Sequence, residues 1–226
     1  MLNQFLWIIY PYLCVAIFVV GHIARYKYDQ FSWTAKSSEF IEKKCLKWGS
    51  LLFHLGVIPV FLGHVVGLAI PAEWISGLGV SNHLYHFGAV YIGSIFGIMT
   101  LIGMLLLTAR RVTIKNVRKL SSASDMFVNF LLIVILFMGC YSTLVTNAVA
   151  PDFDYRQTIS IWFRHLFTFS PNANLMVDVP LSFKIHIFLG FTILACWPFT
   201  RLVHVWSVPL TYANRRYIIY RKNKIS

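Results

Sequence analysis

Residues 49–70 read GSLLFHLGVIPVFLGHVVGLAI, and this stretch decides the fold. It matches the length that crosses the hydrocarbon core of a bilayer, about 20 apolar residues. It contains no Asp, Glu, Lys or Arg; its ionisable side chains are His54 and His64. Lipid offers nothing for backbone N–H and C=O groups to bond, so a segment like this must be helical. Working outward, four further runs of the same kind appear at Phe5–Ala24, Phe87–Thr108, Met126–Ala148 and Ser182–Trp206. The expectation is an all-α integral membrane bundle of five transmembrane helices. It forms a single membrane domain over residues 1–226, with a basic tail at 207–226. Pro11, Pro59 and Pro198 fall inside these runs as tolerated kink sites.

Composition agrees. The chain is 58% hydrophobic and 12% charged, against about 25% charged in an ordinary soluble domain. Its mean hydropathy is +0.66. The net charge of +12 is unevenly placed. Arg25, Lys27, Lys36, Lys43, Lys44 and Lys47 lie between the first two runs. Arg110, Arg111, Lys115, Arg118 and Lys119 lie between the third and fourth, and Arg201, Arg215, Arg216, Arg221, Lys222 and Lys224 lie in the closing part. Only Arg156, Arg164 and Lys184 fall on the other side. The positive-inside rule then puts the N-terminus outside and the C-terminus in the cytoplasm. Charge bordered by membrane segments in this way excludes a nucleic-acid protein; the partner is the lipid bilayer. No cationic stretch precedes the first run, so it reads as a retained helix rather than a cleaved signal.

The acidic residues all lie in loops or at segment ends, which argues against an ion-coupled transporter with a midplane carboxylate. What the membrane holds is histidine: His54 and His64 on the second run, His186 and His204 on the fifth. On an ideal helix the eighteen residues from His186 to His204 make five turns, one face and about 27 Å. The ten residues from His54 to His64 give about 15 Å and an offset of about 80°. The two runs are antiparallel, so His54 and His204 lie toward the cytoplasm and His64 and His186 toward the outside. Two cross-helix pairs at two depths suit two stacked b-type haems, each held by two imidazoles. Gly63 beside His64, Gly67 one turn later and Gly190 one turn after His186 let a flat macrocycle or a neighbouring helix come close.

Other candidates carry less. Cys14, Cys140 and Cys196 lie in apolar runs and Cys45 in a loop, so no structural disulfide is expected. There is no C-x-x-C-H for covalent haem attachment. His22 ends the first run at the interface and is expected to ligate nothing. His165 lies in Trp162–Phe169, which reads as a short helix on the membrane surface. His83 and His86 precede the third run. Arg110, Arg111 and Arg201 are candidate partners for anionic haem propionates. Tyr212, Tyr217 and Tyr220 in the basic tail mark a docking surface or a lipid anchor.

The residues that open and close the fifth run, Lys184-Ile185-His186 and residues 199–209 (FTRLVHVWSVP), resemble the respiratory nitrate reductase gamma subunit family. Leu52-Phe53-His54 with Gly63-His64, Leu101–Arg111, Tyr10-Pro11-Tyr12 and Arg25-Tyr26 with Trp33 extend the likeness over nearly the whole chain. The resemblance implies a di-haem b-type cytochrome of the plasma membrane, with His54/His204 and His64/His186 as the axial pairs. It implies oxidation of menaquinol or ubiquinol at the outer face. Electrons then pass inward to an iron–sulfur beta subunit and a molybdenum alpha subunit that carries the nitrate site. Members of this family place a lysine before the third helix, near the quinol; here the region reads Ser81-Asn82-His83-Leu84-Tyr85-His86, with His86 or His83 in its place. The alternatives are a similar cytochrome serving a heterodisulfide-reductase-like partner, and a haem-free membrane anchor or transporter.

Overall fold

The computed structural model describes residues 1–29, 38, 40–150 and 153–207. Expectations that involve Trp33, Lys36, Glu39, Asp152 and the tail from residue 208 onward, including Tyr212, Tyr217 and Tyr220 and the basic residues there, lie outside the described residues.

Five helices are long and apolar enough to cross a membrane: α1 Leu2–Tyr28, α2 Lys44–Ala69, α3 Asn82–Thr113, α4 Ala123–Thr146 and α5 Leu181–Phe199. No strand occurs among the described residues. The loops joining α1 to α2 and α3 to α4 carry the basic clusters, and that side is called the basic end below; the opposite side is the far end. Helix packing runs α2 on α3, α3 on α4, α4 on α5 and α5 on α1. The closest crossing is α2 with α3. A Cβ at Gly56 would collide with Thr100, and one at Gly103 would collide with the Phe53 backbone. Small residues thus set the approach of two helices in a solvent that gives no hydrophobic drive between them.

At the basic end, Ser122 and Asp125 form a capping box at the start of α4. Arg110, 4% exposed, reaches from α3 to the Glu42 carboxylate (2.8 Å), the Ser38 hydroxyl (2.9 Å) and the carbonyls of Ser38 and Glu42 (both 2.8 Å). The Glu42 carboxylate in turn accepts from the Cys45 and Leu46 N–H groups at the start of α2. One guanidinium therefore ties the α1–α2 connection to the end of α3.

The prolines do different work. Pro59 lies inside α2 without ending it. Pro11 has no N–H to offer the carbonyl of Trp7, and that oxygen accepts the indole N–H of Trp162 at 2.8 Å. Pro198 corrects an expectation. The fifth run is not one helix to Trp206: its α-helix ends at Cys196, a 3-10 turn follows at Trp197–Phe199, Thr200 is extended, and a second 3-10 segment covers Arg201–Ser207. His186 and His204 therefore do not share one helical face. Several carbonyls at the break are taken up. Trp197 N–H donates to Leu194, Arg25 to Pro198 and Thr200, and the Ser124 hydroxyl to Phe199.

The far end holds the larger core. Helix Ile159–Phe167 buries Ile159, Trp162 and Leu166 against Trp7, Ala173, Met176 and Val179. Trp7 meets Trp162 edge-on at 5.9 Å. The stretch expected to lie on the surface is thus a packed cap, because the i, i+3, i+7 spacing of its apolar residues faces the start of α1. Trp162→Phe keeps an aromatic side chain but removes the indole N–H that the Trp7 carbonyl accepts. We expect a loss of about 1–3 kcal/mol, read as a lower unfolding midpoint in detergent.

Candidate haem site

Each histidine of the two pairs uses Nδ1 in the same way. His54 Nδ1 lies 2.8 Å from the Ser50 carbonyl, His64 2.7 Å from Val60, His186 3.0 Å from Ile135 and His204 2.7 Å from Arg201. A carbonyl only accepts, so each Nδ1 donates, and in the neutral ring Nε2 then keeps its lone pair. This is the tautomer a metal-ligating imidazole needs, with the orienting bond already made. His22 differs. Its Nδ1 bonds the Phe18 carbonyl, but its Nε2 accepts from the Trp206 indole at 3.2 Å, which leaves no nitrogen for a metal.

The structure brings one pair together. The rings of His64 on α2 and His186 on α5 lie 6.0 Å apart between centroids, 30° from parallel. Two metal–imidazole bonds of about 2 Å each, added to the distance from each nitrogen to its ring centre, span a separation of this size. His54 and His204 make no ring contact with each other. His54 is exposed on an open groove with Lys43, Leu46, Lys47, Ser50 and Leu51, and His204 lies on the 3-10 segment beyond the Pro198 break. Among the described residues no cluster of three or more His, Cys, Asp or Glu side chains occurs. Axial ligation of a haem requires only two imidazoles. The donor set and tautomers fit a b-type haem at the far-end pair, and the donor set fits one at the basic-end residues.

Glycines shape the surroundings. A Cβ at Gly63 or at Gly190 would meet nothing within 4 Å, so the backbone beside His64 and one turn from His186 borders open space. Gly67 serves a different neighbour: a Cβ there would lie 2.8 Å from the Tyr155 hydroxyl and 3.0 Å from that of Tyr85. It makes room for two tyrosines rather than for a macrocycle. Gly139 was not legible as a site residue. It sits on α4 beneath the His186 ring, where a Cβ would lie 2.9 Å from Cε1. The glycine and the Ile135 carbonyl, one turn earlier on the same helix, together seat the imidazole. The signal exists only across helices, so no spacing within the sequence carries it.

The basic candidates separate. Arg110 is committed to Ser38 and Glu42 and is not a partner for an anionic ligand. Arg111 and Arg201 both stand near Asp125, at 3.8 and 3.7 Å. The Arg111 Nε is buried without a hydrogen-bond partner, so Arg111 remains a candidate for a carboxylate. His165 lies half-buried on the far-end helix, and its Nδ1 is likewise unpaired. His83 and His86 are exposed and make no hydrogen bond or ring contact among the described residues.

Residues 3–223 match the nitrate reductase gamma subunit family. The chain is 48% identical over 222 residues to the nitrate reductase gamma chain of Bacillus subtilis, covering 98% of this chain and 99% of the relative. It is 36% identical over 224 residues to the respiratory nitrate reductase 2 gamma chain of Escherichia coli, 99% of this chain and 98% of that one. A nitrate reductase-like protein of Mycobacterium tuberculosis is 39% identical over 99% of this chain, which there makes up 34% of a longer polypeptide.

Two outcomes test the geometry. Gly139→Val should overpack the α4–α5 contact and cost about 1–3 kcal/mol, seen as a lower thermal midpoint in detergent. Gly93→Ala, inside α3 at a position with nothing within 4 Å, should leave that midpoint in place or raise it slightly. The N–H of Cys45, followed by Arg110, holds the Glu42 carboxyl below its ordinary pKa. A lowered carboxylate stabilises the fold above its unfolded pKa and loses that contribution as pH falls through the folded value. Glu42→Gln should therefore destabilise at neutral pH, and the difference from the unmodified chain should close below about pH 4. Urea midpoints at several pH values measure it.

Proposed function

We propose that this chain, which belongs to the nitrate reductase gamma subunit family, is a di-haem b-type cytochrome that oxidises quinol and feeds electrons to a nitrate reductase. The observation that carries the reading is the approach of His64 and His186 from separate helices, with both Nε2 lone pairs preserved. His64 and His186 hold the far-end haem, and His54 and His204 hold the one at the basic end. When bound, the haems supply one-electron redox chemistry across the apolar core.

The chain's own residues do the rest. Carbonyl bonds at Nδ1 fix each imidazole and raise its basicity as a ligand. Two imidazoles would hold each haem iron, and a group held in that way would supply electron transfer rather than oxygen binding. The Ile135 carbonyl and Gly139 hold His186 against α4. Gly63 keeps the backbone beside His64 clear. His86, exposed at the start of α3, stands at the end where menaquinol or ubiquinol enters from the lipid. The basic end faces the cytoplasm of a plasma-membrane protein, so the far end is the outer face and quinol protons leave there. Electrons pass to an iron–sulfur beta subunit and a molybdenum alpha subunit docked at the basic end, and nitrate is reduced on that partner.

The test is a haem count. Purified in mild detergent, the chain should show a b-type reduced-minus-oxidised spectrum with two haems per chain. His54→Ala, His64→Ala, His186→Ala and His204→Ala should each lose haem. A folded, membrane-inserted chain that takes up no haem would sink the proposal.

A further inference from the structure

We propose that His22, with the face of α1 on which it stands, is a positioning residue for His204; this rests on the reading above that His204 holds the basic-end haem. The other three histidines of the two pairs stand on α-helix. His204 does not. It lies in the 3-10 segment Arg201–Ser207, after the α-helix has ended at Cys196 and Thr200 has run extended. A 3-10 segment has poorer hydrogen-bond geometry than an α-helix and is rarely this long, so its course is set by what it packs against.

The end of α1 supplies that support. Phe18, Gly21, His22 and Arg25 are spaced at i, i+3, i+4 and i+7, which is one face of a helix, and each meets the chain between Trp197 and Trp206. The Phe18 ring lies edge-on to Trp197 at 6.0 Å and 6.4 Å from the Trp206 ring. A Cβ at Gly21 would lie 2.8 Å from the Pro198 ring, so the glycine lets α1 close on the break. Arg25 donates to the Pro198 and Thr200 carbonyls. His22 reaches farthest: its Nε2 accepts the Trp206 indole N–H at 3.2 Å, two residues past His204. On the other flank Leu202 packs against Val128 and Leu131, and Arg201 stands 3.7 Å from Asp125. Those α4 contacts precede His204 and the His22 bond follows it, so the ligand is held from both sides along the chain.

His22 is set up to accept. Its Nδ1 lies 2.7 Å from the Phe18 carbonyl, which only accepts, so Nδ1 donates and in the neutral ring Nε2 is left as the acceptor. The ring packs 4.3 Å from that of Phe18. With both nitrogens used, His22 aims a ligand rather than being one. Outer partners of this kind fix a ligand's orientation and with it the strength of the metal bond.

The experiment uses the membrane complex with its partner subunits. His22→Phe and Trp206→Phe each remove one member of the bond and keep an aromatic ring; the double variant removes both, and His22→Gln keeps an acceptor oxygen. Haem transfer to excess apomyoglobin gives the release rate at each site, with His54→Ala identifying the basic-end phase. EPR of the oxidised complex reads the orientation of the imidazoles. Both single variants should release the basic-end haem several-fold faster and shift its low-spin signal, with the far-end haem unmoved. The double variant should do no more than either single one, because the two remove the same interaction. His22→Gln should return both readouts toward wild type. Amide hydrogen exchange over residues 201–207 should rise in the same pattern. Trp206 is 58% exposed, so Trp206→Phe decides the matter if His22→Phe does not fold. Unchanged release and EPR in Trp206→Phe, or His22→Gln as impaired as His22→Phe, would overturn the assignment. If His204→Ala keeps both haems, the reading of His204 as a ligand fails instead.

Discussion

A carbonyl oxygen inside a lipid-facing bundle has no water to bond, and the rest of this structure follows from how those oxygens are satisfied. Where Pro11 cannot serve Trp7, an indole does. Where Pro198 ends α5, an arginine from α1 and a serine from α4 reach the freed oxygens. Where α2 ends, Ser160 and Arg164 close it. The four histidines belong to the same account, since each is oriented by a main-chain carbonyl. The satisfaction of main-chain carbonyls thereby links helix ends, loop docking and the orientation of the four histidine rings.

The two ends of the bundle meet this requirement differently. The far end is closed by a folded cap with Trp162 and Met176 in its core, and its two histidines are already face to face. The basic end is held by charge: Arg110 on Glu42, with Arg111 and Arg201 gathered near Asp125. His54 there lies on an open groove rather than against a partner ring.

Much of this was legible in the sequence. The five apolar runs appear as five helices, because hydropathy over about 20 residues is a local property. The histidine positions were legible too, since ionisable residues stand out against an apolar background. The projection from His186 to His204 failed because it assumed an unbroken 3.6-residue period through Pro198. The Trp162–Phe169 stretch falls in a short helix as expected, but amphipathicity tells that one face is buried and not that it packs against Trp7. Gly139 and Tyr155 could not be found at all. Their roles lie in what another helix or loop brings to within a few ångströms, and one sequence holds no record of that. Gly67 shows the same limit from the other side: the need for a small residue was legible, but not the two phenols that impose it.

The bond from Trp162 to Trp7 also bears on how the chain matures. It joins residues separated by 155 positions, and the carbonyl it satisfies belongs to α1, which is synthesised well before Trp162. A ribosome finishes α1 long before Trp162 emerges, so α1 enters the bilayer with that oxygen unserved. Insertion and final closure are therefore separate events, and the far-end cap is the part of the molecule that is completed after most of the helices are already in place.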